Sequence, residues 1–183
     1  DRQPVVLTMS PPNGSTEVGF NVNYSVRFDE RMNPLSIGQQ YTNVLFSEDN
    51  QILRYQYQNL LAADTEVTET VPELIDLSGN LVVPISSTFS TAAGPDITGG
   101  TLIGSISGTV PTNPVIAWIA SEPIDPVSLS SSGVYLYNNL DGVVPTSISL
   151  SADGRRIEIV PTEGLTVGRS YTYYGRNLRD LSG

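Results

Sequence analysis

The nonapeptide FNVNYSVRF, Phe20 to Phe28, decides the fold class. Val22, Tyr24, Val26 and Phe28 alternate with Asn21, Asn23, Ser25 and Arg27. Apolar residues at every second position describe a half-buried strand with one wet face. Outward from it, QILRYQY (residues 51–57) puts Leu53, Tyr55 and Tyr57 on one side, and RRIEIVP (residues 155–161) does the same with Ile157 and Ile159. Pro, Gly, Ser, Thr and Asn interrupt the chain roughly every 8–12 residues, and helix signals are almost absent. The reading is all-β: an antiparallel sandwich or barrel.

The segment that follows this strand is echoed later. ERMNPLSI (Glu30–Ile37) meets EPIDPVSL (Glu122–Leu129) at an offset of 92, so Pro34 meets Pro126 and Ser36 meets Ser128. Further on the offset is 104. There PELIDLSGN, ending at Asn80, meets RNLRDLSG, ending at Gly183, and Asp76 meets Asp180. Landmarks in one order with one change of offset predict a tandem repeat. The first domain is expected at residues 1–94 and the second at 95–183, joined at FSTAAGPD (Phe89–Asp96). The second carries 12 extra residues between Leu129 and Ser151, room for one more hairpin arm. At offset 92 a Val26/Phe28 pair becomes Trp118/Ala120, a small–large pair exchanged for a large–small one, so Trp118 is expected in the core.

Composition narrows the chemistry. The 183 residues hold no Cys and no His, and all nine cations are Arg. Without them there is no disulfide framework, no thiolate, no usual zinc ligand and no His base, which excludes Ser-His-Asp and Cys-His hydrolases. The net charge of −10 disfavours nucleic acid and anionic membrane but is compatible with calcium, which takes oxygen ligands. No apolar run approaches the roughly 18 residues of a membrane span, so no membrane insertion is expected. No signal-peptide pattern opens the chain, and a secreted protein would carry its export signal outside this stretch.

Five motifs in order resemble the bacterial Ig-like domains of the S-layer-protein type (the SbsA-like Ig family). They are TMSPPNGSTEV; VRFDERMNPLSI with its echo IASEPIDPVSL; LTVGRSYT; DLSGN; and the closing strand VVPISSTFST. The resemblance spans the chain twice. It implies two immunoglobulin-like antiparallel β-sandwich domains, an extracellular or cell-surface setting, and neighbouring domains of the same polypeptide as partners. No N…F-x-T strand follows Gly183, so the second sandwich is expected to lack its last strand. Asp76 and Asp180 suit Asx-type turns, Gly79 and Gly183 a positive φ, and Gly168 a left-handed corner matched by Asp64. Tyr171 resembles the corner tyrosine of Ig sandwiches, whose hydroxyl bonds back to the main chain.

Three sets of residues are candidates for function. Asp29, Glu30, Asp76 and Asp96 could hold calcium at the joint between domains; the plain alternative is solvated surface charge. Tyr135, Tyr137, Tyr173 and Tyr174 could present a binding face to a glycan or a surface protein; the plain alternative is that Tyr is a good strand residue. Val115, Ala117 and Ile119 make the second face of their strand apolar, and the 12-residue insertion is expected to cover them. Glu69 shares a face with Val67 and Val71 and needs a partner if buried. The expected function is non-enzymatic: a spacer or adhesion module of a larger bacterial surface or secreted protein, with no cofactor unless calcium binds. A glycan- or protein-binding module is the alternative. A glycosidase would need two carboxyls roughly 5–10 Å apart in a cleft.

Overall fold

The computed structural model describes residues 2–38, 41–47, 49–130 and 132–183. It is built from antiparallel strands and one short 3-10 turn at Pro34–Ser36. The chain divides into two compact units, one of Asp1–Ile97 with Leu181–Gly183, the other of Thr98–Asp180. The division therefore falls at Ile97/Thr98, slightly beyond the sequence-based boundary.

The first unit contains β1 (Val6–Ser10), β2 (Tyr24–Phe28), β3 (Val44–Phe46), β4 (Ile52–Tyr55), β5 (Glu66–Thr70) and β6 (Ser86–Ser90). One sheet has the order β1-β2-β4-β3, and β5 pairs with β6 in a second. The nonapeptide behaves as its alternation requires: Val22, Tyr24, Val26 and Phe28 are all buried. Tyr24, Val26 and Phe28 pack with Met9, Met32, Leu53, Val71, Leu74 and Val82. Phe89 of β6 packs separately with Val18 and Val22.

The second unit contains β7 (Leu102–Gly104), β8 (Ile116–Ala120), β9 (Val134–Asn138), β10 (Gly142–Val144), β11 (Thr146–Leu150), β12 (Arg156–Pro161) and β13 (Tyr171–Gly175). Its sheets have the orders β11-β12-β8-β7 and β10-β9-β13. Trp118, Ile157 and Ile159 from one sheet and Val134 and Leu136 from the other form its core.

Each unit is an Ig-like β-sandwich, and strand registers recur between them. Val26 pairs with Leu53 in the first unit, and Trp118 with Ile157 in the second. Phe46 pairs with Leu53, and Leu150 with Ile157. The turns recur too. The Ile52 N–H donates to Ser47 Oγ at 3.0 Å, and the Arg156 N–H to Ser151 Oγ at 2.9 Å. Asn50 and Gly154 occupy the same place in these turns with φ of 55° and 69°.

The extra residues of the second unit supply β10, which pairs with β9. That placement corrects one expectation. Of Val115, just before β8, and Ala117 and Ile119 on its outer face, only Ala117 is buried; Val115 and Ile119 remain 48% and 43% exposed. The insertion joins the β9–β13 sheet as a strand and does not lie over β8.

Candidate functional site

Asp76 is a structural carboxylate. It is 1% exposed. Its Oδ1 accepts from the N–H groups of Ser78 and Asn80, both at 2.8 Å, and its Oδ2 from the Asn80 side-chain amide at 2.7 Å. The Asn80 amide first, and the turn N–H groups after it, hold the Asp76 carboxyl below the ordinary carboxylate range. Gly79, at φ 95°, closes the turn in a conformation that a side chain would strain. Asp180 takes the corresponding place in the second unit: Met32 bridges to Asp76, and Ile124 to Asp180.

The other proposed calcium ligands have separate surroundings. Asp29 accepts from the Val5 N–H at 2.7 Å and pairs with Arg2 at 2.5 Å. Glu30 has a buried Oε1 with no hydrogen-bond partner among the described residues. The main chain of Asp96 is held by Asn21, whose amide donates to the Asp96 carbonyl at 2.6 Å and accepts from its N–H at 2.8 Å. No group of three metal-capable side chains among the described residues includes Asp29, Glu30 or Asp76. The four are not assembled as one ligand set.

The tyrosines of the second unit divide between two faces. Tyr135 of β9 stacks on its cross-strand partner Tyr174 of β13, with centroids 5.1 Å apart and planes at 25°. Tyr137 meets Tyr174 edge-on at 6.4 Å, and the Arg176 guanidinium lies 5.6 Å from the Tyr174 centroid. Tyr173 does not join them, which corrects its assignment to the binding face. It packs on buried Trp118 at 5.3 Å and donates its hydroxyl proton to the Ile106 carbonyl at 2.9 Å. Successive strand residues point to opposite faces, so Tyr173 and Tyr174 cannot share one. The same alternation sends Tyr171 inward, where its hydroxyl accepts from the Thr166 N–H at 2.9 Å. Gly168, between these two, has φ 75°.

Glu69, which the sequence marks as needing a partner if buried, has one that the sequence does not name. The Tyr57 hydroxyl donates to Glu69 Oε1 at 2.8 Å. Beside them is a cavity of about 10 Å³, lined in part by Tyr24, Tyr41 and Glu69, with room for about one water. The buried Tyr24 hydroxyl has no partner among the described residues. Burial raises the Glu69 carboxyl above its ordinary value, against the opposing bond from Tyr57. Burial, together with the Glu69 charge, raises the Tyr57 and Tyr24 hydroxyls.

A carboxyl with a raised folded pKa binds its proton more tightly folded than unfolded. Glu69 should therefore cost the first unit stability as pH climbs from the ordinary carboxyl range through its raised value. Glu69→Gln is expected to abolish that loss. In urea unfolding, its advantage over the parent should be larger at pH 8 than at pH 4, and an equal difference at both would contradict the assignment.

Residues 1–91 match the family model of the bacterial Ig-like domain. Among solved structures the chain is similar to the N-terminal part of the bacterial S-layer protein SbsC. That likeness has 13% identity and a TM-score of 0.39, and covers 96% of this chain and 44% of that one. Dimeric latent PorU from Porphyromonas gingivalis is similar at 13% identity and a TM-score of 0.37, over 94% of this chain and 18% of that one. The chain thus spans less than half the length of either structure. No curated protein matches it.

Proposed function

We propose, from a chain whose first unit is a bacterial Ig-like domain, that the whole is a tandem of such domains of the S-layer-protein type. In this reading it is a non-enzymatic spacer or adhesion module of a larger bacterial cell-surface or secreted protein. Its partners are neighbouring domains of the same polypeptide. The observation that carries the tandem reading is the recurrence of register, Val26 with Leu53 and Trp118 with Ile157. The dispositions of Asp76 in a turn and Glu69 against Tyr57 support a structural role for these acids. Antibody raised against the two units should label intact bacteria, and surface proteolysis should remove the label. Labelling that requires permeabilised cells would overturn the extracellular setting.

The Tyr135–Tyr174 stack favours a second reading, a glycan- or protein-binding module. Tyr135 already takes one face of Tyr174, and such an aromatic pair contributes about 0.5–1.5 kcal/mol to its own sheet. The ladder therefore has a structural use without any ligand. If it does bind, Tyr174→Ala should weaken binding on a glycan array by about two- to tenfold, since aromatic stacking contacts are worth about 0.5–1.5 kcal/mol. Spacer function predicts no Tyr174-dependent signal.

A further inference from the structure

The turn PPNGS, Pro11 to Ser15, holds the one Asn-Gly pair in the chain, Asn13–Gly14. Such a pair carries its own reaction. The main-chain nitrogen of the glycine attacks the side-chain Cγ of the asparagine and closes a five-membered imide. Glycine favours the attack because it has no Cβ to crowd the approach. The N–Cγ bond forms, the Cγ–Nδ2 bond breaks, and Nδ2 leaves as ammonia with the proton from the Gly14 nitrogen. Water then opens the ring at one of two carbonyls. Opening at Cγ gives aspartate. Opening at the main-chain carbonyl gives isoaspartate, in which the chain runs on through Cγ.

The structure exposes the leaving group and restrains the attack. Asn13 is exposed, and its Nδ2 has no partner among the described residues. Its Oδ1 accepts from the Thr88 N–H at 2.9 Å, and the Gly14 N–H donates to the Thr88 carbonyl at 2.7 Å. One residue of β6 thus holds both the attacking nitrogen and, through Oδ1, the carbon to be attacked. Bringing the two together breaks both bonds. The rest of the segment is fastened to the same strand: Ser90 N–H donates to the Ser15 carbonyl at 2.9 Å, and Val18 N–H to the Ser90 carbonyl at 3.1 Å. Phe89, between Thr88 and Ser90, packs on Val18 and Val22. Freeing Asn13 and Gly14 is therefore linked to freeing the Gly14–Val18 segment from β6.

We propose that Asn13 is a modification site of the first unit, converted to aspartate or isoaspartate at a rate set by how often the Gly14–Val18 segment leaves β6. The two products differ in consequence. Aspartate keeps an Oδ1 that accepts from Thr88. Isoaspartate lengthens the main chain by one carbon ahead of Gly14, so Gly14 and Ser15 no longer match Thr88 and Ser90 together. The site turns a transient opening into a permanent mismatch. This inference stands on the Asn13–Thr88 geometry and is independent of the spacer role.

The test ages the chain at pH 8, folded and in urea, and follows the tryptic peptide from Gln3 to Arg27 by mass spectrometry. The same peptide holds Asn21 and Asn23, which precede Val22 and Tyr24 and serve as slow references. Asn13 should convert fastest in urea. Folding should slow it about tenfold or more, and the slowing should match the hydrogen-exchange protection of the Gly14 amide in the parent chain. Phe89→Ala should speed conversion of the folded chain severalfold. If that variant does not fold, the match between conversion and Gly14 exchange decides. Asn13→Asp should keep the parent's unfolding midpoint, whereas isoaspartyl protein aged in urea and refolded should lose protection at Gly14 and Ser90. Equal rates with and without urea, or slowing that does not follow Gly14 exchange, would overturn control by the fold. Survival of Asn13 in urea would overturn the site itself. Full protection in the isoaspartyl form would overturn the mismatch. None of these outcomes bears on whether the units are displayed at the cell surface.

Discussion

Phe89→Ala is expected to destabilise the first unit by about 3–5 kcal/mol, the usual cost of deleting a buried aromatic ring. Phe89 is 2% exposed, and it joins β6 to the inner surfaces of Val18 and Val22. The loss has two parts: the transfer free energy of the ring, and a cavity between β5 and the Gly14–Val18 segment that the sheet cannot close. A small domain is stable by only about 5–15 kcal/mol, so much of the first unit's margin would go. Urea unfolding followed by circular dichroism measures the loss, and hydrogen exchange at Glu66–Thr70 locates it. A change below about 1 kcal/mol would show that β6 is held by its main-chain bonds and not by Phe89.

Trp118→Ala should cost the second unit about 3–5 kcal/mol. Trp118 pairs with Ile157, packs on Tyr173 at 5.3 Å, and lies so close to Gly175 that a Cβ there would come within 2.8 Å of the ring. A compensating pair tests the packing more sharply. In the first unit the equivalent positions hold Val26 and Phe28, both fully buried. Trp118→Val alone leaves a cavity. Combined with Ala120→Phe it restores the first unit's arrangement of volumes, so the double variant should recover part of the stability. If Ala120→Phe makes Trp118→Val worse, the two cores are shaped differently despite their shared register. Calorimetry suits this series, because the substitutions remove the protein's one Trp and with it the fluorescence signal.

Much of this fold was legible in particular residues. The alternation from Val22 to Phe28 specifies a strand with one buried face, because that pattern satisfies only a period of two. The Asp76 turn was legible as well, since few residue types accept several N–H bonds across a tight corner or take a positive φ. The offset of 92 placed Trp118 where the first unit has Val26, and both residues are buried. The separation of Tyr173 from Tyr174 was also available, because adjacent strand residues face opposite ways; grouping them by type obscured it.

Other features had no local signal. Ala117 and Ile119 are both apolar, yet one is buried and the other exposed, because exposure depends on what neighbouring strands bring over each position. The pairing of Glu69 with Tyr57 depends on β5 meeting the chain just past β4, and neither residue announces the other. The strands, their inward faces and the turns follow from local stereochemistry and the spacing of side chains, so they could be read directly from the residues. Which tyrosines are buried, and which acid is held by a tyrosine, follow from distant segments meeting in the fold, and no local pattern encodes them.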